Sequence, residues 1–255
     1  MTAATDTLPG IRRVEQIMGM PILVDVRDDV DEDEVDAVFA WFRHVDNVFS
    51  TYSDESEISR LNRGELALAD ACADVREVLA RCEELRLETD GFFDVHAADS
   101  GVIDPSGLVK GWSVDRAAAI AERSGWQHYA INAGGDMRLH GGALPDREWR
   151  VGIQHPTLRQ QIAAVVTGDD LAVATSGNYA RGEHVFDPHT HRPPTGVLSV
   201  TITGPVLATA DAYATAALAM GTDGAGWTAG LRGYEAMTIR SDATVLFTPG
   251  FPRAD

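Results

Sequence analysis

The stretch Ala163-Ala164-Val165-Val166-Thr167-Gly168-Asp169-Asp170-Leu171-Ala172-Val173-Ala174 decides the fold class. Residues 163–167 and 171–174 each read as a short strand, and no helical pattern separates them. Working outward, residues 129–132, 149–153 and 198–202 have the same texture, while residues 17–26 suit an earlier strand. Helical periodicity gathers elsewhere. Behind the acidic run 31–36, Val35, Val38, Phe39, Phe42, Val45 and Phe49 recur at helical spacing, a stripe that predicts a core-facing helix. Asp54 followed by Glu57 fits a short capped helix, and Val75, Val78, Leu79, Cys82 and Leu85 mark a longer one ending near Gly91. Further helices are predicted over 113–123, 210–220 and 224–231, with a closing hairpin from 236–240 and 244–247. Strands and helices therefore cluster instead of alternating, which predicts an α+β fold of mixed or antiparallel sheets with packed helices. The expected organisation is a flexible N-terminal segment, 1–16, and one compact unit, 17–255.

A chain of 255 residues with 44% hydrophobic residues can bury a sizeable core. Its 21 basic and 39 acidic residues leave a net charge of −18, which opposes non-specific binding to nucleic acid or anionic membranes. Residues 1–17 include Asp6 and Glu15 and no apolar run of signal-peptide length, and no later window is long and apolar enough to span a bilayer, so a cytoplasmic location is expected. Cys72 and Cys82 are ten positions apart in a helical pattern, a rise of about 15 Å that no disulfide bridges.

Small and polar residues collect between the elements: Ser50-Thr51-Tyr52, Gly91-Phe92-Phe93-Asp94, residues 104–111, Asn132-Ala133-Gly134-Gly135-Asp136, and Thr175-Ser176-Gly177-Asn178-Tyr179. Glycine in such loops lets backbone approach a ligand closely, although each is also an ordinary turn sequence. Lys110-Gly111 just before the helix expected at 113 suits a phosphate, without P-loop spacing. Asp211 and Thr215 stand at i and i+4, so a carboxylate and a hydroxyl share one helix face. Two such oxygens suit Mg²⁺, while helix-dipole pairing for Asp211 and back-bonding for Thr215 are the structural alternatives. His184, His189 and His191 match no transition-metal spacing; one of them could act as a base.

Taken together and in this order, the motifs resemble the ApbE family of FAD:protein FMN transferases. The chain carries Met18-Gly19, then STYxxxSExSxLN as residues 50–62, GxFD as 91–94 and DxxGxxKGxxxD as 104–115. It continues with NxGGD at 132–136, WxVGIxxP at 149–156, TSGxY at 175–179, HxxDP at 184–188 and ADAxxTA at 210–216.

The resemblance implies a scaffold related to the T-fold and FAD as substrate. Met18, Tyr52, Phe92, Phe93 and Asp94 would hold the flavin, whose flat face suits aromatic rings and methionine. Asp104 and Lys110 would contact the nucleotide, with Asp115, Gly134, Gly135, Asp136, Ser176, Gly177 and His184 completing the FAD-binding set. Mg²⁺ would bridge pyrophosphate and protein through Asp211, Thr215 and the Gly107 carbonyl. The implied partner is an acceptor protein whose Thr hydroxyl attacks the phosphate attached to riboflavin, releasing AMP. His184 would be the base, Asp187 would orient its loop, and Asp211 would be catalytic through the metal. With water as acceptor the same site would be an FAD pyrophosphatase, and without chemistry a flavin-binding protein.

Two features depart from the family pattern. Nine residues separate Asp94 from Asp104, a shortened stretch over the flavin. His191 stands where a DPxTGxP loop has glycine, which predicts strain or a new path if that position needs a positive φ.

Overall fold

The computed structural model describes residues 10–96, 101–144, 147–158, 160–177 and 185–254. The chain opens with a hairpin of β1 (Arg12–Ile17) and β2 (Met20–Val26). Four helices follow: α1 (Glu32–Phe49), α2 (Glu57–Asn62), α3 (Ala73–Glu88) and α4 (Ser106–Arg123). Next come β3 (Tyr129–Ala133), β4 (Asp136–His140), β5 (Trp149–Gln154), β6 (Ile162–Gly168), β7 (Asp170–Gly177) and β8 (Val197–Gly204). Helix α5 (Leu207–Ala219), the short α6 (Gly224–Thr228), β9 (Glu235–Arg240) and β10 (Val245–Phe247) complete it. An eight-stranded sheet has the order β1-β2-β3-β4-β7-β8-β9-β10, and β5-β6 form a separate two-stranded sheet. Each of these pairings is antiparallel, so the α+β expectation holds.

Strand alternation sorts residues to the two faces of the large sheet. Tyr129, Ile131 and Ala133 of β3, and Ala172 and Ala174 of β7, join the core formed with α1, α4 and α5. Between them, Val173 turns the other way to pack with Ile153, Val166, Met237 and Ile239 beneath the β5-β6 hairpin. Helix α1 begins where sequence chemistry says it should: the Asp31 side chain accepts at N3 while Glu34 accepts the Asp31 N–H, and acidic residues fill the first turn. Its stripe is fully buried apart from Phe49 at 6% exposure, and burial of each such Phe contributes about 1.5–3 kcal/mol. The far half of α1 packs with Ile58, Val75, Val78 and Leu85 in a second cluster that reaches Leu108 and Trp112 of α4.

Helix α5 is alanine-rich and buried on nearly every side, as expected of a helix wedged between a sheet and other helices. Small side chains let α4 cross it closely. At Gly111 a Cβ would lie 2.7 Å from the Leu207 carbonyl oxygen, so glycine is required for this approach.

The structure redraws several sequence boundaries. The strand expected from Ile17 is a hairpin whose first strand, β1, takes in residues 12–16 of the segment read as flexible, and Met18 (φ +56°) and Gly19 (φ +69°) form its turn. Helix α4 starts at Ser106 instead of 113, because the Asp104 carboxylate accepts the Ser106 N–H at 3.0 Å and burial of Leu108 and Val109 outweighs two weak glycines. Strand β4 was concealed behind the Gly-Gly turn, and β7 continues through Thr175, Ser176 and Gly177, which read as loop. Ser56, not Asp54, caps α2 through the Ser59 N–H. Both cysteines are free thiols. Among the described residues no helix is long and apolar enough to cross a membrane.

Candidate functional site

Three charged side chains meet where α4, α5 and the β3-β4 turn converge. Lys110 pairs closely with Asp136 and lies 3.4 Å from Asp211 Oδ1, and both carboxylates are only 2% exposed. Asp136 Oδ1 accepts the Thr175 N–H at 3.0 Å, tying β4 to the end of β7. Asp211 Oδ2 accepts the Gly111 N–H at 3.1 Å. Lys110 and Gly111 therefore lie inside α4, not ahead of a helix, and the Gly111 N–H faces a carboxylate. Burial raises the Asp211 pKa first of all; the neighbouring Lys110 charge opposes the rise, Asp136 adds to it, and the Gly111 hydrogen bond holds it back.

One turn beyond Asp211, Thr215 Oγ1 lies 3.1 Å from Ser176 Oγ on β7. The same hydroxyl oxygen is 3.9 Å from where a Gly107 Cβ would stand, so the first turn of α4 adjoins it. The pairing of Asp211 with Thr215 read from i,i+4 spacing is thus joined by Gly107, Lys110, Asp136 and Ser176. Carboxylate, hydroxyl and main-chain carbonyl are all hard oxygen donors, the type that Mg²⁺ or a similar divalent ion accepts. Among the described residues, buried Asp136 Oδ2 has no hydrogen-bond partner beyond its ion pair with Lys110.

The remaining expected residues that the structure describes each have their own setting. Gly134 (φ +59°) and Gly135 (φ +109°) make the β3-β4 turn; the Gly135 N–H bonds Asn132 Oδ1 at 2.9 Å, and Gly134 abuts Met20. Met18 is half-buried against both helix-side clusters. Phe92 is half-buried, while Phe93 is 3% exposed and packs in the second core cluster with its ring edge toward Gly107. Tyr52 stands 99% exposed. Asp94 accepts the His96 N–H at 2.8 Å, and Asp104 serves Ser106 at the start of α4. Asp115 lies on α4 against the start of α5. Its two oxygens accept the Leu207 and Ala208 N–H groups at 3.1 and 2.8 Å, capping α5, and burial pushes its pKa up against those bonds.

His184, the expected base, lies outside the described residues, while Gly177 ends β7. Asp187 organises the turn that follows, accepting the His189 N–H at 2.9 Å and the Thr190 hydroxyl at 2.7 Å. His191 has φ +54°, so the chain keeps the left-handed path at that position and a non-glycine residue carries its cost. Sequence reasoning missed three elements of this region: the Gly111 N–H on Asp211, the Thr175 N–H on Asp136, and the hydrogen bond between His189 and Asp90. None has a signature in residue spacing, because each joins distant segments.

A family model described as the ApbE family matches residues 18–102 and 97–238. An FAD:protein FMN transferase from Vibrio cholerae is 34% identical over 131 residues, which are 48% of this chain and 39% of that protein. One from Haemophilus influenzae is 25% identical over 254 residues, 75% of this chain and 72% of that protein. The first of these alignments thus spans well under half of the relative's own length. Among solved structures, an ApbE protein from Thermotoga maritima has a TM-score of 0.85 at 20% identity, covering 96% of this chain and 100% of that one. A flavin transferase ApbE from Vibrio cholerae has a TM-score of 0.83 at 22% identity, covering 95% and 98%. At these identities the likeness is one of fold.

Proposed function

This chain belongs to the ApbE family, and from that premise we propose that it transfers FMN from FAD to a Thr hydroxyl of an acceptor protein and releases AMP. The observation that carries the reading is the buried grouping of Lys110, Asp136 and Asp211 beside the Ser176–Thr215 hydroxyl pair. An ammonium among oxygen donors at a helix junction is a place for a pyrophosphate and its counter-ion.

In the reaction the acceptor oxygen forms a bond to the phosphorus attached to riboflavin. The bond from that phosphorus to the bridging oxygen breaks, and AMP departs with the electron pair. The hydroxyl proton passes to a base, a role assigned to His184 by its motif, with Asp187 holding the adjoining turn through Thr190 and the His189 N–H. Lys110 neutralises the pyrophosphate, and Asp136 holds that ammonium in place. Asp211, Thr215 and the Gly107 carbonyl would hold the metal. A divalent ion bound there supplies charge stabilisation for the transferring phosphoryl group and the departing AMP.

The direct experiment incubates the protein with FAD, Mg²⁺ and Thr-containing acceptor proteins and weighs the products. Transfer adds the mass of FMN to an acceptor; AMP with free FMN signals hydrolysis, and flavin bound without AMP signals a binding protein.

A further inference from the structure

We propose that His189 is a positioning residue that latches its own turn to the Asp90–Gly91 turn and thereby fixes the Phe92 ring. Its Nε2 lies 3.0 Å from the Asp90 carbonyl oxygen, which can only accept, so Nε2 carries the hydrogen. The same imidazole meets the Phe92 ring edge-to-face, with centroids 4.6 Å apart and planes at 71°. One side chain thus reaches Asp90 across 99 positions of sequence, and Phe92 beside it.

Both ends of the latch are built to receive it. Asp90 (φ +53°) and Gly91 (φ +83°) are consecutive left-handed residues at the end of α3, where the Gly91 N–H reaches the Arg86 carbonyl at 2.7 Å. A Cβ at Gly91 would lie 3.2 Å from His189 Cε1, so this glycine serves the approach of the imidazole as well as the turn. On the other side, Asp187 accepts the His189 N–H at 2.9 Å, and the His191 N–H bonds the Asp187 carbonyl at 2.8 Å. Phe92 bridges the imidazole to both helix-side core clusters. An exposed histidine with two defined partners and a tightly held backbone is a strap, not a free surface side chain. What the fixed Phe92 ring touches rests on the proposed function: it is the wall for the isoalloxazine.

The test uses the full chain with His189→Ala, His189→Gln and Phe92→Leu. Amide exchange is read first in flavin-free protein over residues 89–94, where the Phe92 and Phe93 N–H groups bond Thr89. His189→Ala removes one hydrogen bond and one edge-to-face ring pair and should speed exchange there about tenfold; His189→Gln, which keeps an amide donor, should recover part of it. FAD affinity, read by flavin fluorescence quenching, should weaken about tenfold in His189→Ala and in Phe92→Leu. Wild-type exchange over 89–94 in His189→Ala overturns the latch, and faster exchange with unchanged FAD affinity overturns the positioning role. Absence of FAD binding by the wild-type chain would instead overturn the proposed function, and the exchange result would still judge the latch.

Discussion

Lys110 Nζ lies 3.4 Å from Asp211 Oδ1 while also pairing with Asp136, so one ammonium serves two buried carboxylates. The metal-free site therefore carries its own counter-ion, with formal charges of one cation against two anions. A divalent cation at Asp211 would offset the remaining negative charge while Asp136 keeps Lys110 in place.

Removing that ammonium should be costly. In Lys110→Ala two carboxylates are left buried and uncompensated, a change expected to destabilise the metal-free protein by about 3–5 kcal/mol. Denaturant unfolding measures the loss, and millimolar Mg²⁺ should restore part of it. FAD affinity should fall in the same variant. Wild-type stability together with a wild-type dissociation constant would return Lys110 to the class of solvated surface lysines.

Metal-free stability should decline as pH rises through neutrality. Burial lifts Asp211 to about 7 in the folded protein, against about 3.9 in an unfolded chain. Below the unfolded value both states hold the proton; between the two values the folded state binds it more strongly, so stability is lost as pH climbs. Since a metal competes with that proton, thermal stabilisation by Mg²⁺ should grow from pH 5.5 to pH 8. Melting curves at several pH values, with and without Mg²⁺, check both slopes; a metal shift independent of pH would count against Asp211 as the ligand.

Asp115 should behave as a helix cap, not as an FAD contact. Asp115→Ala strips acceptors from the Leu207 and Ala208 N–H groups and is expected to cost about 1–3 kcal/mol of stability. FAD affinity of the folded variant should stay within about twofold of wild type, since both Asp115 oxygens are already taken up by the start of α5. A large loss of affinity with unchanged stability would restore the cofactor-binding expectation.

Much of this architecture was legible in the sequence because its signals are local. The α1 stripe, the acidic run 31–36 that opens it, the β-like runs from Tyr129 to Ile202 and the i,i+4 pair Asp211–Thr215 all depend on near neighbours. What escaped depends on distant partners. Helix α4 extends back through Gly107 and Gly111 because α5 and Asp104 support it, against low intrinsic propensity. Asp115 and His189 find partners on segments far away in sequence, and Phe93 packs in the second cluster beside Gly107. No spacing rule reports such pairings.

The most direct test is AMP release from FAD across a Mg²⁺ titration, comparing wild type with Asp211→Asn, each supplied with an acceptor protein. The Asn side chain can still accept the Gly111 N–H, so the fold should persist, and its metal-free melting temperature should match or exceed wild type because a buried negative charge is gone. Wild type should release AMP only when Mg²⁺ is present and should add the mass of FMN to the acceptor. Asp211→Asn should lose about 100- to 1000-fold in rate and all metal-dependent stabilisation. Wild-type turnover by Asp211→Asn at low Mg²⁺, or FAD bound by the native protein with no AMP at any Mg²⁺ concentration, would contradict metal-assisted flavin transfer at this site.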